Sequence, residues 1–134
     1  MERCAWLGDD PLMMAYHDEE WGEPLHDDRR HFEFLVLDAF QAGLSWRTVL
    51  HKRENFRRAL DGFDPVRIAR YGDAERERLL ADAGIIRNRQ KVEATIGNAR
   101  AFLELQEREG GFDGWVWQFT DGRTIQNAWR ELSD

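Results

Sequence analysis

The residues best placed to do chemistry fall into three groups. The first is Asp38, the lone carboxylate in the stretch Asp38-Ala-Phe-Gln-Ala-Gly-Leu-Ser-Trp46. On a helix its neighbours three and four residues away are Phe34, Leu35, Gln41 and Ala42, so the acid shares a mostly apolar stripe. Burial there disfavours ionisation and raises the pKa. Trp46 lies just past the Gly43 corner and can fold back toward the same cavity, and Tyr16, Trp6 and Trp21 add aromatic walls. An acid among aromatic walls suits a flat, hydrogen-bonding, electron-poor ligand such as a nucleobase.

The second group is Ala83-Gly84-Ile85-Ile86-Arg87-Asn88-Arg89-Gln90-Lys91. Here one helix ends, a glycine-containing hairpin turns and a new helix begins. Turn N–H groups beside a helix N-terminus seat phosphates well. Arg87, Arg89 and Lys91 add attraction to a nucleic-acid backbone that is blind to sequence. The third group is Cys4 and His17, both competent zinc ligands, although structural zinc takes four protein ligands. Each group also has an ordinary reading. These are an acid bonded to backbone at a helix end, a helical corner with solvated arginines, and a buried thiol with a surface imidazole.

The elements that must position these residues read as helices with short links. Residues 30–42 are apolar nearly all round and predict a buried helix, ended by Gly43. Ser45 caps a helix running from Trp46 to about Leu60. Asp64-Pro65 starts a short helix that closes near Gly72, and Asp73 caps the next. Asn88 caps a longer helix with Val92, Ile96, Ala99 and Leu103 at helical spacing, ended by Gly110 and Gly111. Residues 112–119 fit a further helical turn or two better than a strand, because no other segment offers a strand partner. The expectation is one all-α domain over 1–134, without repeats or linkers.

Composition narrows the function classes. At 134 residues with a single cysteine, the chain forms no intrachain disulfide, which points to a reducing, cytoplasmic setting. No apolar run approaches the roughly 20 residues of a membrane span. A net charge of −7 argues against phosphate binding over the whole surface. It leaves room for the local basic patch at Arg87, Arg89, Lys91 and Arg100, where Glu93 is the only acid.

Several longer motifs carry a resemblance. Met1-Glu-Arg-Cys-Ala-Trp6, Tyr16-His-Asp-Glu-Glu-Trp-Gly22, Gln41-Ala-Gly-Leu-Ser-Trp46, Lys52-Arg-Glu-Asn-Phe56, Phe63-Asp-Pro65, Asp82-Ala-Gly-Ile-Ile-Arg87 and Gly97-Asn-Ala-Arg100 run through essentially the whole chain. In this order they closely resemble the bacterial 3-methyladenine DNA glycosylase I family. The resemblance implies an all-α fold of the helix-hairpin-helix DNA glycosylase superfamily and removal of N3-methylated adenine from alkylated double-stranded DNA. It implies that Gly84, Ile85, Ile86, Arg87, Arg89 and Lys91 hold DNA. Asp38 would read the damaged base as the catalytic acid, Tyr16 and Trp46 would flank it, and Trp6 and Trp21 would be pocket walls. Zinc is the one cofactor implied, with Cys4 and His17 matching two of the family's four ligands.

The chain departs from the family at three points. Asp38 stands where the family carries glutamate, one methylene longer. Ala39 and Phe40 replace smaller or polar residues. The chain also stops at Leu132-Ser-Asp134, where family members continue through helices that supply the other two zinc ligands, and apolar surface left uncovered there would favour dimerisation or instability. No lysine suits Schiff-base chemistry in the pocket, so the expected enzyme hydrolyses the glycosidic bond without cutting the strand. Two other readings remain beside it, a helix-hairpin-helix module that binds DNA or protein without turnover, and a binder of free purines.

Overall fold

Local capping chemistry sets most of the helix starts. The computed structural model describes residues 2–130; Met1 and residues 131–134, with the Leu132-Ser133-Asp134 end, lie outside the described residues. Helix α1 (Pro11–Glu19) opens on Asp10, whose carboxylate accepts from the Leu12 and Met13 N–H groups. Helix α2 (Asp28–Gln41) opens on Asp27, which accepts from Arg30 N–H, and α3 (Trp46–His51) on Ser45, which accepts from Thr48 N–H. Helix α4 (Arg53–Ala59) follows at once. Asp64 accepts from Val66 N–H to open the single turn α5 (Pro65–Ile68). Helix α6 (Asp73–Leu80) precedes the hairpin. Asn88 then caps α7 (Arg89–Glu109) by accepting from Lys91 N–H, and α8 (Phe112–Trp117) comes last. Short 3-10 turns lie at Ala5–Leu7, Asp61–Phe63 and Gln118–Thr120. The described residues include no strand, in agreement with an all-α fold.

Four details differ from the reading of the sequence. The segment before residue 30 already holds a helix, α1, although its Asp10-Pro11 start is the same signal as Asp64-Pro65. The helix expected over 46 to about 60 is two, because Lys52 N–H turns back to the Val49 carbonyl at 3.0 Å, three residues away, and tightens the chain. That break lets Leu50 pack with Leu7 and Met13 while Val49 and Phe56 enter the main core. Gly72 rather than Asp73 holds the N-cap of α6, since Glu75 Oε2 accepts from Gly72 N–H at 2.8 Å. Finally, α2 is not buried all round. Phe32, Val36, Leu37 and Phe40 are inside, whereas Leu35 is 48 % exposed and Asp38 and Ala39 reach solvent.

The core explains this one-sidedness. Phe40 is 1 % exposed and packs its ring on Phe56 at 4.7 Å, while Phe32 meets Phe102 at 5.1 Å. Each such ring contributes about 1.5–3 kcal/mol when fully buried. With α7, α8 and the α3–α4 pair all packing against this side of α2, its opposite side is left to look outward. Residues 112–117 are helical, as expected, and the reason is long-range: the Asp28 carboxylate accepts from Phe112 N–H at 2.9 Å and Asp113 N–H at 2.8 Å. It supplies the cap that Gly111 lacks.

Candidate active site and nucleic-acid interface

Asp38 leaves α2 one turn before its C-terminal end. Gly43 then turns the chain at φ 80°, a conformation that favours glycine. The corner is closed by Gln41 Nε2 donating to the Leu44 carbonyl at 2.9 Å, and Ser45 starts α3 with Trp46 as its first residue. Lys91 Nζ donates to the Phe40 carbonyl at 2.8 Å and the Ala42 carbonyl at 2.7 Å. A cation thus caps the C-terminal end of α2, where the helix dipole favours it. This contact ties the start of α7 to the corner that carries Asp38 and Trp46.

Tyr16 approaches from α1, its ring 5.4 Å from that of Trp46 at an angle of 51°. Burial pushes the Tyr16 phenol up, and the Asp38 carboxylate raises it further, so the acid and the phenol are electrostatic neighbours. Withdrawal from water also pushes the Asp38 carboxyl up. Asp38 makes no hydrogen bond or ion pair among the described residues, and the buried Trp46 Nε1–H has no acceptor there. The structure therefore sets Asp38 in the electrostatic neighbourhood of Tyr16, whose ring in turn meets that of Trp46.

The other aromatic residues form a cluster of their own. Trp6 lies 5.5 Å from Trp21 and 5.7 Å from His17, and His17 stacks on Trp21 at 5.4 Å. Tyr16 joins the two groups, because it lines a cavity of about 340 Å³ with Glu20, Trp21, Arg30 and Phe34. Sequence reasoning missed what holds this wall. Arg53 grips Glu20 through two bonds of 2.7 and 2.9 Å, and Arg30 adds a third at 3.2 Å. Burial by itself would raise the Glu20 carboxyl, yet Arg53 and then Arg30 bring it below its ordinary value. The two residues were within reach of the eye in the Tyr16–Gly22 and Lys52–Phe56 motifs, but nothing local pairs them.

Cys4 is a half-buried free thiol, and His17 Nδ1 lies 3.0 Å from Asp18 Oδ1. Among the described residues no three histidine, cysteine or carboxylate side chains converge as a metal site would require.

The hairpin between α6 and α7 forms where it was expected. Ile85 is 4 % exposed and anchors it to the core. Gly84 N–H is committed to Asp82 Oδ1 at 2.8 Å, and Ile85 N–H to the Asp82 carbonyl at 3.4 Å. The N–H groups of Ile86, Arg87, Arg89 and Gln90 have no acceptor among the described residues. Arg87 is exposed, and Arg89, 64 % exposed, has one ion-pair partner among the described residues, the exposed Glu77 at 3.6 Å. Of the three expected cations, Arg87 and Arg89 thus border the unmatched donors, whereas the Lys91 ammonium is engaged at α2.

A family model of methyladenine glycosylases matches residues 6–134 of this sequence. The chain belongs to the methyladenine glycosylase family. It is 51 % identical over 121 residues to DNA-3-methyladenine glycosylase 1 of Escherichia coli, covering 90 % of this chain and 65 % of that protein. To the DNA-3-methyladenine glycosylase of Haemophilus influenzae it is 40 % identical, covering 93 % of this chain and 68 % of the relative. Its fold superposes with a TM-score of 0.94 on the crystal structure of a 3-methyladenine DNA glycosylase I variant in complex with 3-methyladenine, at 32 % identity, covering 99 % of this chain and 72 % of the other. This family member thus spans about two thirds of the length of the curated relatives it matches.

Proposed function

We propose that this chain carries out base excision on alkylated double-stranded DNA, hydrolysing the N-glycosidic bond of 3-methyladenine without strand cleavage. The observation that carries the reading is the unpartnered Asp38 carboxylate beside Tyr16 and Trp46. N3-methylation gives adenine a positive charge. A cationic base is attracted to an electron-rich ring, and damage that weakens pairing lowers the cost of extruding it. Asp38 would accept from the base edge, Tyr16 and Trp46 would flank it, and Trp6 and Trp21 would wall the entrance. Because the base is already a good leaving group, extrusion, positioning and electrostatic stabilisation of the sugar's developing charge supply the catalysis.

The unmatched N–H groups of Ile86, Arg87, Arg89 and Gln90 support the hairpin as the phosphate seat. Cys4 and His17 would be two ligands of a structural zinc only if further ligands came from beyond the described residues, and no step of the reaction depends on it. The alternative, a module that binds without turnover, calls for an Asp38 bonded to its own backbone with Phe40 or Trp46 filling the cavity. Neither Asp38 nor Phe40 meets that condition, since the acid has no hydrogen bond among the described residues and Phe40 is turned into the core.

The test is release of free 3-methyladenine from methylated duplex under single-turnover conditions, with Asp38→Asn in parallel. Excision that drops on substitution, with affinity for undamaged duplex unchanged, is the expected result. Equal rates in both proteins would remove the pocket from the mechanism, and silence from well-folded parent protein would favour the binding module.

A further inference from the structure

In the motif Lys52-Arg-Glu-Asn-Phe56, Arg53 holds Glu20 and Phe56 enters the core. Asn55 sits between them on α4, half-buried, and its Nδ2 donates to the Gly84 carbonyl at 3.0 Å. The other side of the amide is fixed as well, because the Arg58 guanidinium donates to Asn55 Oδ1. The amide therefore has one orientation, with its donor toward the hairpin.

Gly84 records the same contact in its sequence. It does not adopt the left-handed region, so conformational freedom is not the reason for glycine here. Room is the reason. A Cβ on Gly84 would lie 3.2 Å from both Cγ and Nδ2 of Asn55 and 3.0 Å from Asp82 Oδ1. The turn is thus clamped from two sides, by Asn55 on its carbonyl and by Asp82 on its N–H. Just beyond it come the N–H groups of Ile86 and Arg87, which have no acceptor among the described residues.

We infer that Asn55 is a positioning residue of the phosphate seat: from α4 it holds the Gly84 carbonyl so that the following N–H groups present a fixed row of donors to a nucleic-acid phosphate. The inference rests on the glycosylase reading for the identity of the ligand but not for the site of the chemistry. The Asn55 side chain bonds to the hairpin and to Arg58, and among the described residues it makes no hydrogen bond to Tyr16, Asp38 or Trp46. Its removal therefore acts on duplex affinity and leaves the chemical step alone. Donors that are ordered before binding cost less to align, and one lost intramolecular hydrogen bond corresponds to a change of about five- to tenfold.

The experiment compares parent, Asn55→Ala and Asn55→Asp. It measures affinity for an undamaged duplex over a salt series, the single-turnover excision rate at saturating protein, and the thermal midpoint. Asn55→Asp keeps the side-chain shape and the Arg58 contact but replaces the donor with an acceptor. The expected result is about five- to tenfold weaker duplex binding in both variants, with the saturating excision rate within about twofold of the parent. Unchanged duplex affinity in both variants would overturn the inference, as would an excision rate that falls in step with affinity or with the thermal midpoint. A parent protein that binds no duplex would instead overturn the nucleic-acid reading itself, and the inference with it. A parent that binds but excises nothing leaves the affinity arm to decide on Asn55.

Discussion

Two properties of Asp38 both favour its protonated form. Its carboxyl is raised by withdrawal from water and has no hydrogen bond among the described residues to offset this. The linkage follows from the sign of that shift. Between the unfolded pKa and the higher folded one, the native state binds more protons than the unfolded state, so the group's contribution to stability declines as pH rises through that window. Above the window the charged acid is a small burden on the fold. Asp38→Asn should accordingly raise stability at neutral pH by up to about 0.5 kcal/mol while it lowers excision. Below the window the two proteins should melt alike. Paired urea melts at acid and neutral pH check this, and a variant less stable than the parent at pH 7 would contradict it. Trp46 is half-buried, with its ring 5.4 Å from that of Tyr16. Trp46→Ala should cost roughly 1–3 kcal/mol in affinity for a damage-containing duplex, read by competition against undamaged DNA.

At the scale of elements, α4 stands out because its side chains reach two separate parts of the fold. Arg53 holds Glu20 at the end of α1, one turn beyond Tyr16, and Asn55 holds the hairpin. Arg53 is 13 % exposed and Glu20 17 %, so the pair is more sheltered than an ordinary surface bridge. Removing the guanidinium leaves a partly buried carboxylate with Arg30 as its remaining partner. Arg53→Ala should lose about 2 kcal/mol of stability, the range for hydrogen bonds to charged groups. It should also weaken binding of free 3-methyladenine, because Tyr16 loses the support of its helix end. A calorimetric titration that finds parent-like affinity would detach α1 from the pocket.

For the molecule as a whole, charge and apolar surface matter more than any one contact. With a net charge of −7, affinity for DNA has to come from a local patch. Arg89 is available to that patch because its contact with Glu77 is long and exposed. Arg87→Ala and Arg89→Ala should each lower the slope of log K against log salt by about 0.9, and a slope unmoved by either would place the phosphate contacts elsewhere. A second surface property is an apolar groove of about 500 Å³ between α2, α7 and α8, bordered by Leu35, Leu105, Trp115 and Val116.

Much of this was legible in the sequence, and the reason is distance along the chain. Helix starts at Asp64, Ser45 and Asn88, and helix ends at Gly43 and Gly110, depend on one residue and its next few neighbours. The same locality makes the hairpin readable as glycine, two isoleucines and a capped basic helix. Partners far apart in sequence were not readable, because periodicity says which face is apolar but not what meets it. Glu20 and Arg53, Asn55 and Gly84, Asp28 and α8, and Lys91 with the end of α2 pair only once the chain has packed. Packing also decided that Phe40 belongs to the core and Asp38 to the solvent edge. The types and order of the chemical groups were fixed along the chain, whereas their convergence depended on which helix faces the core buried.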